Sequence, residues 1–223
     1  LPDGKFTDAN LRLLSASGKP LLDTMRYNGG SDNSLYINNT NPEYLVKVNN
    51  GMGGEVVVGY AASTQYDNTG SDDITDLPFP IYVVQSVVTR DNMNIDMPPV
   101  ATRYEYGNGL FDFQEKEFRG FGYVKTINAQ GSYTETYFHQ DSIFKGRPYR
   151  QQAKDASGSL YSKSESTYQA REIYTGVNFV YLLSSNEYLY DGDASYKQTG
   201  ASYTYDDYGN PTQVTFAGDT SLS

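Results

Sequence analysis

The 223-residue sequence contains no cysteine, no tryptophan and a single histidine. Without cysteine there is no disulfide framework, no thiolate nucleophile and no Cys-ligated zinc or iron–sulfur site. Secretion stays open, because a chain of this length can bury a core without covalent staples. Cations are scarce too: 17 Lys and Arg stand against 27 Asp and Glu, for a formal net charge of −10. Binding along a phosphate backbone needs clustered Lys and Arg, so no nucleic acid partner is expected. No apolar run approaches the ~20 residues of a membrane helix, so no membrane span is expected either. No signal-peptide pattern opens the chain. It starts at Leu1-Pro2-Asp3 without Met, which reads as a piece of a larger polypeptide.

What is abundant is Tyr (22), Gly (21) and Phe (10). Tyr, Thr, Val and Phe fill the ordered-looking runs, and Gly, Asn, Asp and Ser punctuate them, so the pattern predicts strands and turns. No segment carries helix formers at 3.6 spacing over three turns, and no long helix is expected. Phe79 to Arg90 is apolar on both faces, which predicts a strand buried between two layers or inside a barrel or shell. Asn128-Ala-Gln-Gly131, Asp155-Ala-Ser-Gly158 and Asp191-Gly-Asp-Ala194 separate strand-like runs. In each, Asp or Asn can bond its own backbone and Gly tolerates positive φ. They predict hairpins over roughly 121–138, 148–168 and 180–205, with a further strand from Thr212 to Phe216 after the turn Asp206–Asn210. Asp67–Asp76 and Asp91–Pro99 read as mobile loops, and Gly51–Gly54 as a hairpin turn rather than a phosphate loop, since no Lys-Ser/Thr follows.

The sharpest segment is Arg103 to Val124, RYEYGNGLFDFQEKEFRGFGYV. Tyr104 and Tyr106 end a strand, Gly107-Asn108-Gly109 turns it, and Glu115 and Glu117 share a strand face. Arg119, set among Phe118, Gly120, Phe121 and Gly122, is expected to pack on aromatic faces and pair with Glu117 or Asp112 where backbones approach closely. Such a cluster reads as a structural staple, because the segment holds no His and no Ser, Thr or Cys nucleophile. If the pair is buried, Arg119→Ala leaves an unpaired buried carboxylate and costs several kcal/mol by the usual scale, about 3–5.

This segment resembles the signature of the region that follows the β-propeller in the B component of bacterial insecticidal toxin complexes (Tc toxins), and in related SpvB- and Rhs-type proteins. Upstream, Tyr44-Leu-Val-Lys-Val-Asn-Asn-Gly-Met-Gly-Gly54 and Tyr60-Ala-Ala-Ser-Thr-Gln-Tyr66 are similar to the family's L-x-x-I-x-N-G-x-G and Y-x-x-S-T elements. Leu77-Pro-Phe-Pro80 with Val83-Val84 is similar to its LPFP-x-x-VV strand. Downstream, Tyr205-Asp206-Asp207-Tyr208-Gly209-Asn210 resembles one YD (Rhs) repeat, and Tyr190-Asp191-Gly192 a degenerate one. The resemblance covers residues 44–124 well and 125–216 more loosely.

It implies an all-β fold: antiparallel hairpins forming part of an Rhs/YD-repeat shell, with the end of a β-propeller-like domain at the N-terminus. The implied domains are 1–50 (end of a degenerate propeller-like domain), 51–126 (Tc-toxin-B-like middle region) and 127–223 (YD/Rhs-like hairpins). The implied role is a non-catalytic structural segment of a large secreted or cell-surface bacterial protein whose shell encloses a C-terminal effector. Its partners would be other segments of the same chain, the propeller and the downstream shell, and a toxin-complex subunit. The family's propeller repeats often carry a D-x-D/N-x-D-G-x-x-D calcium loop. At the equivalent Ser15–Asp23 only Asp23 is a carboxylate, and Lys19 opposes a cation, so no metal is expected there. Asp91, Asn94 and Asp96, or Asp191 and Asp193, have the oxygens to gather a cation, but the favoured reading is solvated turn acids, and no metal is expected. No cofactor and no catalytic residue are expected: His139 reads as an ordinary strand-end histidine, no G-x-S-x-G elbow exists, and Glu115 and Glu117 at i,i+2 make no glycosidase pair. The competing reading is an extracellular glycan- or protein-binding β-module, motivated by 14% aromatic residues in an acidic chain.

Overall fold

The computed structural model describes residues 11–14, 17–26, 34–37, 44–70, 72–93 and 97–219. It is all-β and antiparallel. The strands β1 (Leu11–Leu14), β2 (Asp23–Arg26) and β3 (Ser34–Tyr36) form a small sheet in that order. All other strands belong to one eleven-stranded sheet. It begins with β4 (Lys47–Asn49), β5 (Gly54–Ala62), β6 (Tyr82–Asp91), β7 (Val100–Asp112), β8 (Glu117–Ile127) and β9 (Tyr133–Phe138). It continues through β10 (Pro148–Lys154), β11 (Leu160–Tyr174), β12 (Val177–Leu189), β13 (Lys197–Tyr205) and β14 (Pro211–Ala217). Each strand pairs with the next in sequence, so the sheet is an uninterrupted meander. One 3-10 turn, Ser63–Gln65, is the sole helical element among the described residues. No helix there is long and apolar enough to cross a membrane.

The expected hairpins are present, and four of the turns share one build. In Asn50–Gly54, Asn128–Ser132, Asp155–Ser159 and Asp206–Asn210, the first residue's N–H donates to the fifth residue's carbonyl, at 2.9 to 3.0 Å. The first residue's side-chain oxygen accepts the N–H of the third, at 2.8 to 3.0 Å. The fourth residue is a glycine with φ between 87° and 97°. An Asx acceptor and a left-handed glycine three residues later are local chemistry, which is why the sequence pattern locates these turns.

Burial departs from expectation. Phe79–Arg90 does contain strand β6, but of its residues only Val83 is buried. A strand is covered on both faces only where layers lie above and below it, and here a single sheet leaves both faces half-exposed. Among the described residues the buried apolar side chains are few: Ala61, Ala62, Leu77 and Val83. Cross-strand pairs take over much of the cohesion. Tyr123 and Tyr137 lie 5.3 Å apart between ring centres, and the Arg150 guanidinium sits 4.0 Å above the Tyr137 ring. Lys125 pairs with Glu105 at 3.3 Å, and Lys154 with Glu135 at 2.7 Å, so charges of opposite sign alternate across β7 to β10.

Two further expectations are corrected. Gly107-Asn108-Gly109 is no turn: β7 runs through it to Asp112, and the chain reverses after that. The glycines serve close approach instead. A Cβ on Gly109 would meet the Asn68 side chain at 2.6 Å and Leu77 at 3.0 Å. Glu115 consequently lies in the turn, whereas Glu117 opens β8. The segment around Asp67–Asp76 is stitched to β7: Asn108 N–H donates to Asp67 O, and Phe111 N–H to Asp76 O.

Candidate functional site

The Arg119 cluster begins with a bulge. Gly109 pairs with Phe121 and Phe111 with Phe118, so β8 carries one residue more than β7 over this interval. Gly120 absorbs it at φ 83° with open space where a Cβ would stand. The bulge turns Arg119 inward until it is 5% exposed. Its NH2 donates to Asp112 Oδ2 at 3.0 Å, its NH1 to the Asp141 carbonyl at 3.3 Å, and its Nε lies 3.5 Å from Glu117 Oε2. Lys145 pairs with Glu117 from the outside. The Gln140 amide donates to the carbonyls of Asn108 (2.7 Å) and Gly120 (3.0 Å). A Cβ on Gly122 would stand 2.6 Å from that Gln140 side chain, so Gly122 keeps the bridge in place.

The structure therefore brings Arg119, Asp112 and Glu117 together, with two differences from the sequence reading. The buried partner is the arginine; the side chains of Asp112 and Glu117 are 32% and 40% exposed. Among the described residues no aromatic ring lies under the Arg119 guanidinium; the Phe118 and Phe121 rings pack on each other, 5.7 Å apart. The acidity of the carboxylates follows from their donors. The Glu115 backbone N–H, then that of Gln114 and the Arg119 guanidinium, hold Asp112 below its ordinary value against partial desolvation. The hydrogen bond from Lys145 is the chief cause for Glu117. The result is an ion-pair network linking β7, β8 and the connection between β9 and β10, in which the buried Arg119 Nε makes no hydrogen bond.

The turn after Tyr205 is built just as specifically. The Tyr205 hydroxyl donates to the Leu182 carbonyl at 3.0 Å. Asp206 accepts from the backbone of Tyr208 and Asn210 and from the Asn210 side chain, and the Asn210 side chain is the chief cause of its lowered pKa. Gly209 sits at φ 91°, and the Phe179 ring lies 2.7 Å from where its Cβ would be. Arg171 donates to the carbonyls of Asp206 (3.1 Å) and Asp207 (3.0 Å). Tyr190-Asp191-Gly192 is built differently, with positive φ at both Asp191 and Gly192 and Asp193 N–H donating to the Tyr190 carbonyl.

Sequence reasoning missed Arg171 and Phe179, some 30 residues from the turn they hold, and also Asn68. Asn68 is 7% exposed. Its amide donates to the carbonyls of Ser63 and Tyr66, and its Oδ1 accepts the Gly109 N–H at 2.9 Å. Ser63, part of the quoted Y-x-x-S-T element, is 1% exposed and accepts the Ile81 N–H at 3.0 Å. Nearby, burial pushes the Tyr106 hydroxyl up to about 12, and it donates to the Val84 carbonyl at 2.7 Å.

His139 follows β9, its ring 4.9 Å from Tyr149 and its Nδ1 3.6 Å from Asp141. Asp23 is fully buried and accepts the Ser17 N–H at 2.7 Å; Ser15 and Ala16 lie outside the described residues. Asn94 and Asp96 lie outside them as well. No group of three or more His, Asp or Glu able to hold a metal occurs among the described residues.

Comparison with known proteins places these features. Residues 2–151 match the family model of the insecticide toxin TcdB middle/N-terminal region. The fold is similar to the crystal structure of TcdB2-TccC3 without hypervariable C-terminal region, at 19% identity and a TM-score of 0.80, covering 100% of this chain and 14% of that one. It is similar to TcdB2-TccC3-TEV, at 18% identity and a TM-score of 0.78, covering 96% of this chain and 14% of that one. A Photorhabdus luminescens Tc holotoxin pore gives 18% identity and a TM-score of 0.78, over 100% of this chain and 14% of that one. The chain thus spans about one-seventh of the length of these structures, and at such identities the likeness is one of fold. No curated protein matches it. Since the family model covers well over half of its residues, the chain belongs to the family of the insecticide toxin TcdB middle/N-terminal region.

Proposed function

We propose that the chain is a non-catalytic structural segment of a large, secreted or cell-surface Tc-toxin-like protein. In this reading its sheet forms part of a YD-repeat shell enclosing a C-terminal effector, and residues 1–50 end a propeller-like domain. Residues 51–126 are the Tc-toxin-B-like middle region and 127–223 the YD-repeat hairpins, with β8 running across the boundary. Its partners are the other segments of that chain and a toxin-complex subunit. The observation that carries the reading is the eleven-stranded single-layer meander, in which β4 and β14 each pair on one side only among the described residues. Exposed apolar side chains crowd these outer strands: Val48 on β4, Val214 and Phe216 on β14. A sheet with open edges and half-exposed faces is completed by more sheet. β1 to β3, which form a sheet of their own, support a separate unit before the shell.

The test is the intact mass of the native product, by denaturing gel and mass spectrometry. The expected result is a species several times 24.8 kDa that contains this sequence. A native product of 24.8 kDa encloses nothing and overturns the shell reading.

A further inference from the structure

Beyond the structural role, the sheet contains a cleft of its own. β6 and β7 pair only from Ser86–Arg103 to Thr89–Val100. Past that point they diverge, and the backbone of Asp67 and Asp76 takes the place beside β7. Between the diverging strands lies an open cleft of about 660 Å³. Rings of Tyr66 and Tyr123 stand in its lining, with Arg103 and Gln85 as donors and Glu105 and Asp67 as acceptors; one Asp67 oxygen already takes the Thr69 N–H and hydroxyl, and the Gln85 side chain already bonds the Tyr66 hydroxyl. Arg103 is exposed and forms no ion pair among the described residues, so its five N–H groups remain available. Glu105 meets Lys125 at 3.3 Å through one oxygen and keeps further lone pairs.

The charge balance narrows the ligand. Two carboxylates face one guanidinium in a chain of net charge −10, which disfavours an anion. Lys125 already neutralises Glu105, which weakens the attraction for a cation. An apolar ligand would leave the Arg103 guanidinium without a partner. An uncharged ligand rich in hydroxyls satisfies donors and acceptors together, and its C–H faces pack on Tyr rings. We propose that the cleft between β6 and β7 binds a neutral saccharide, held by Arg103, Gln85 and Glu105 against Tyr66 and Tyr123.

The experiment titrates the 223-residue chain with lactose, maltose, cellobiose and diacetylchitobiose, and with a uronic-acid disaccharide, following tyrosine ring resonances by NMR and heat by calorimetry. At least one neutral disaccharide is expected to saturate at millimolar concentration, shifting Tyr66 and Tyr123. Arg103→Ala and Gln85→Ala, both on exposed side chains, should each weaken binding about tenfold with unchanged far-UV circular dichroism. Tyr174→Ala, at the distant tip of the β11–β12 hairpin, should bind as the parent does. The proposal is overturned if no neutral disaccharide saturates, if the uronic acid binds more tightly, if both variants bind unchanged, or if the shifts fall on Tyr174 and Tyr208.

Discussion

Arg119 and Arg171 each hold a hairpin turn, one from inside the protein and the other from its surface. Arg119 is buried and reaches two carboxylates and a carbonyl. Arg171 has a side chain 35% exposed and reaches two turn carbonyls and the Asp207 carboxylate, itself 98% exposed. The difference lies in the alternative each arginine has. Water replaces the partners of Arg171 at little cost, whereas Arg119 has given up its hydration and depends on the protein. For the same reason the exposed carboxylates beside Arg119 can rehydrate if it is removed, so the lasting loss is the packing of its long side chain.

The largest effect in this comparison should come from Arg119→Ala, a loss of about 3 kcal/mol in denaturant melts. Arg119→Lys should restore only part of it, because an ammonium cannot span Asp112 and the Asp141 carbonyl as a fork does. A loss under ~0.5 kcal/mol would show that the arginine behaves like a surface pair.

Glycine replacements sharpen the same contrast at the backbone. Gly209→Ala imposes both a positive φ and a clash with Phe179, and should cost about 2–3 kcal/mol. Gly120→Ala imposes φ 83° in open space and should cost about 1 kcal/mol. Equal losses would show that the Phe179 ring moves aside freely.

Acid should weaken both turns. Asp112 and Asp206 are held below their ordinary 3.8, and Glu117 below 4.5. A lowered folded-state value means that their stabilisation is complete above those values and is lost as pH falls through the folded ones. Urea melts from pH 5 down to pH 2 should therefore show falling stability, with Asp112→Asn flattening the slope. Glu187, which burial raises, works in the opposite direction. An unchanged slope in Asp112→Asn would remove Asp112 from this account. The smallest effect belongs to Arg171→Ala, expected to cost less than ~1 kcal/mol and to shrink further in high salt.

What was legible depended on distance along the chain. The hairpins near residues 128, 155 and 206 were readable because a five-residue turn carries its own acceptor and its own glycine. The pairing of Arg119 with Asp112 or Glu117 was readable for a similar reason, since all three fall within eight residues. Gly107 to Gly109 misled because glycine signals both a turn and a close approach, and the neighbour requiring the approach, Asn68, is 41 residues from Gly109. The apolar run of β6 misled because two-faced hydrophobicity says that a strand can be covered, not that a layer covers it.

By itself, then, the sequence determined the all-β class, the positions of the short turns and the charge pairs within them, since these follow from neighbours in the chain. The tertiary structure alone decided that Arg119 rather than its carboxylates is buried and that β7 runs straight through its glycines. It also decided that β6 and β7 part around a cleft. Each of these depends on which distant segment comes to lie alongside, and a linear pattern of residue types does not encode that.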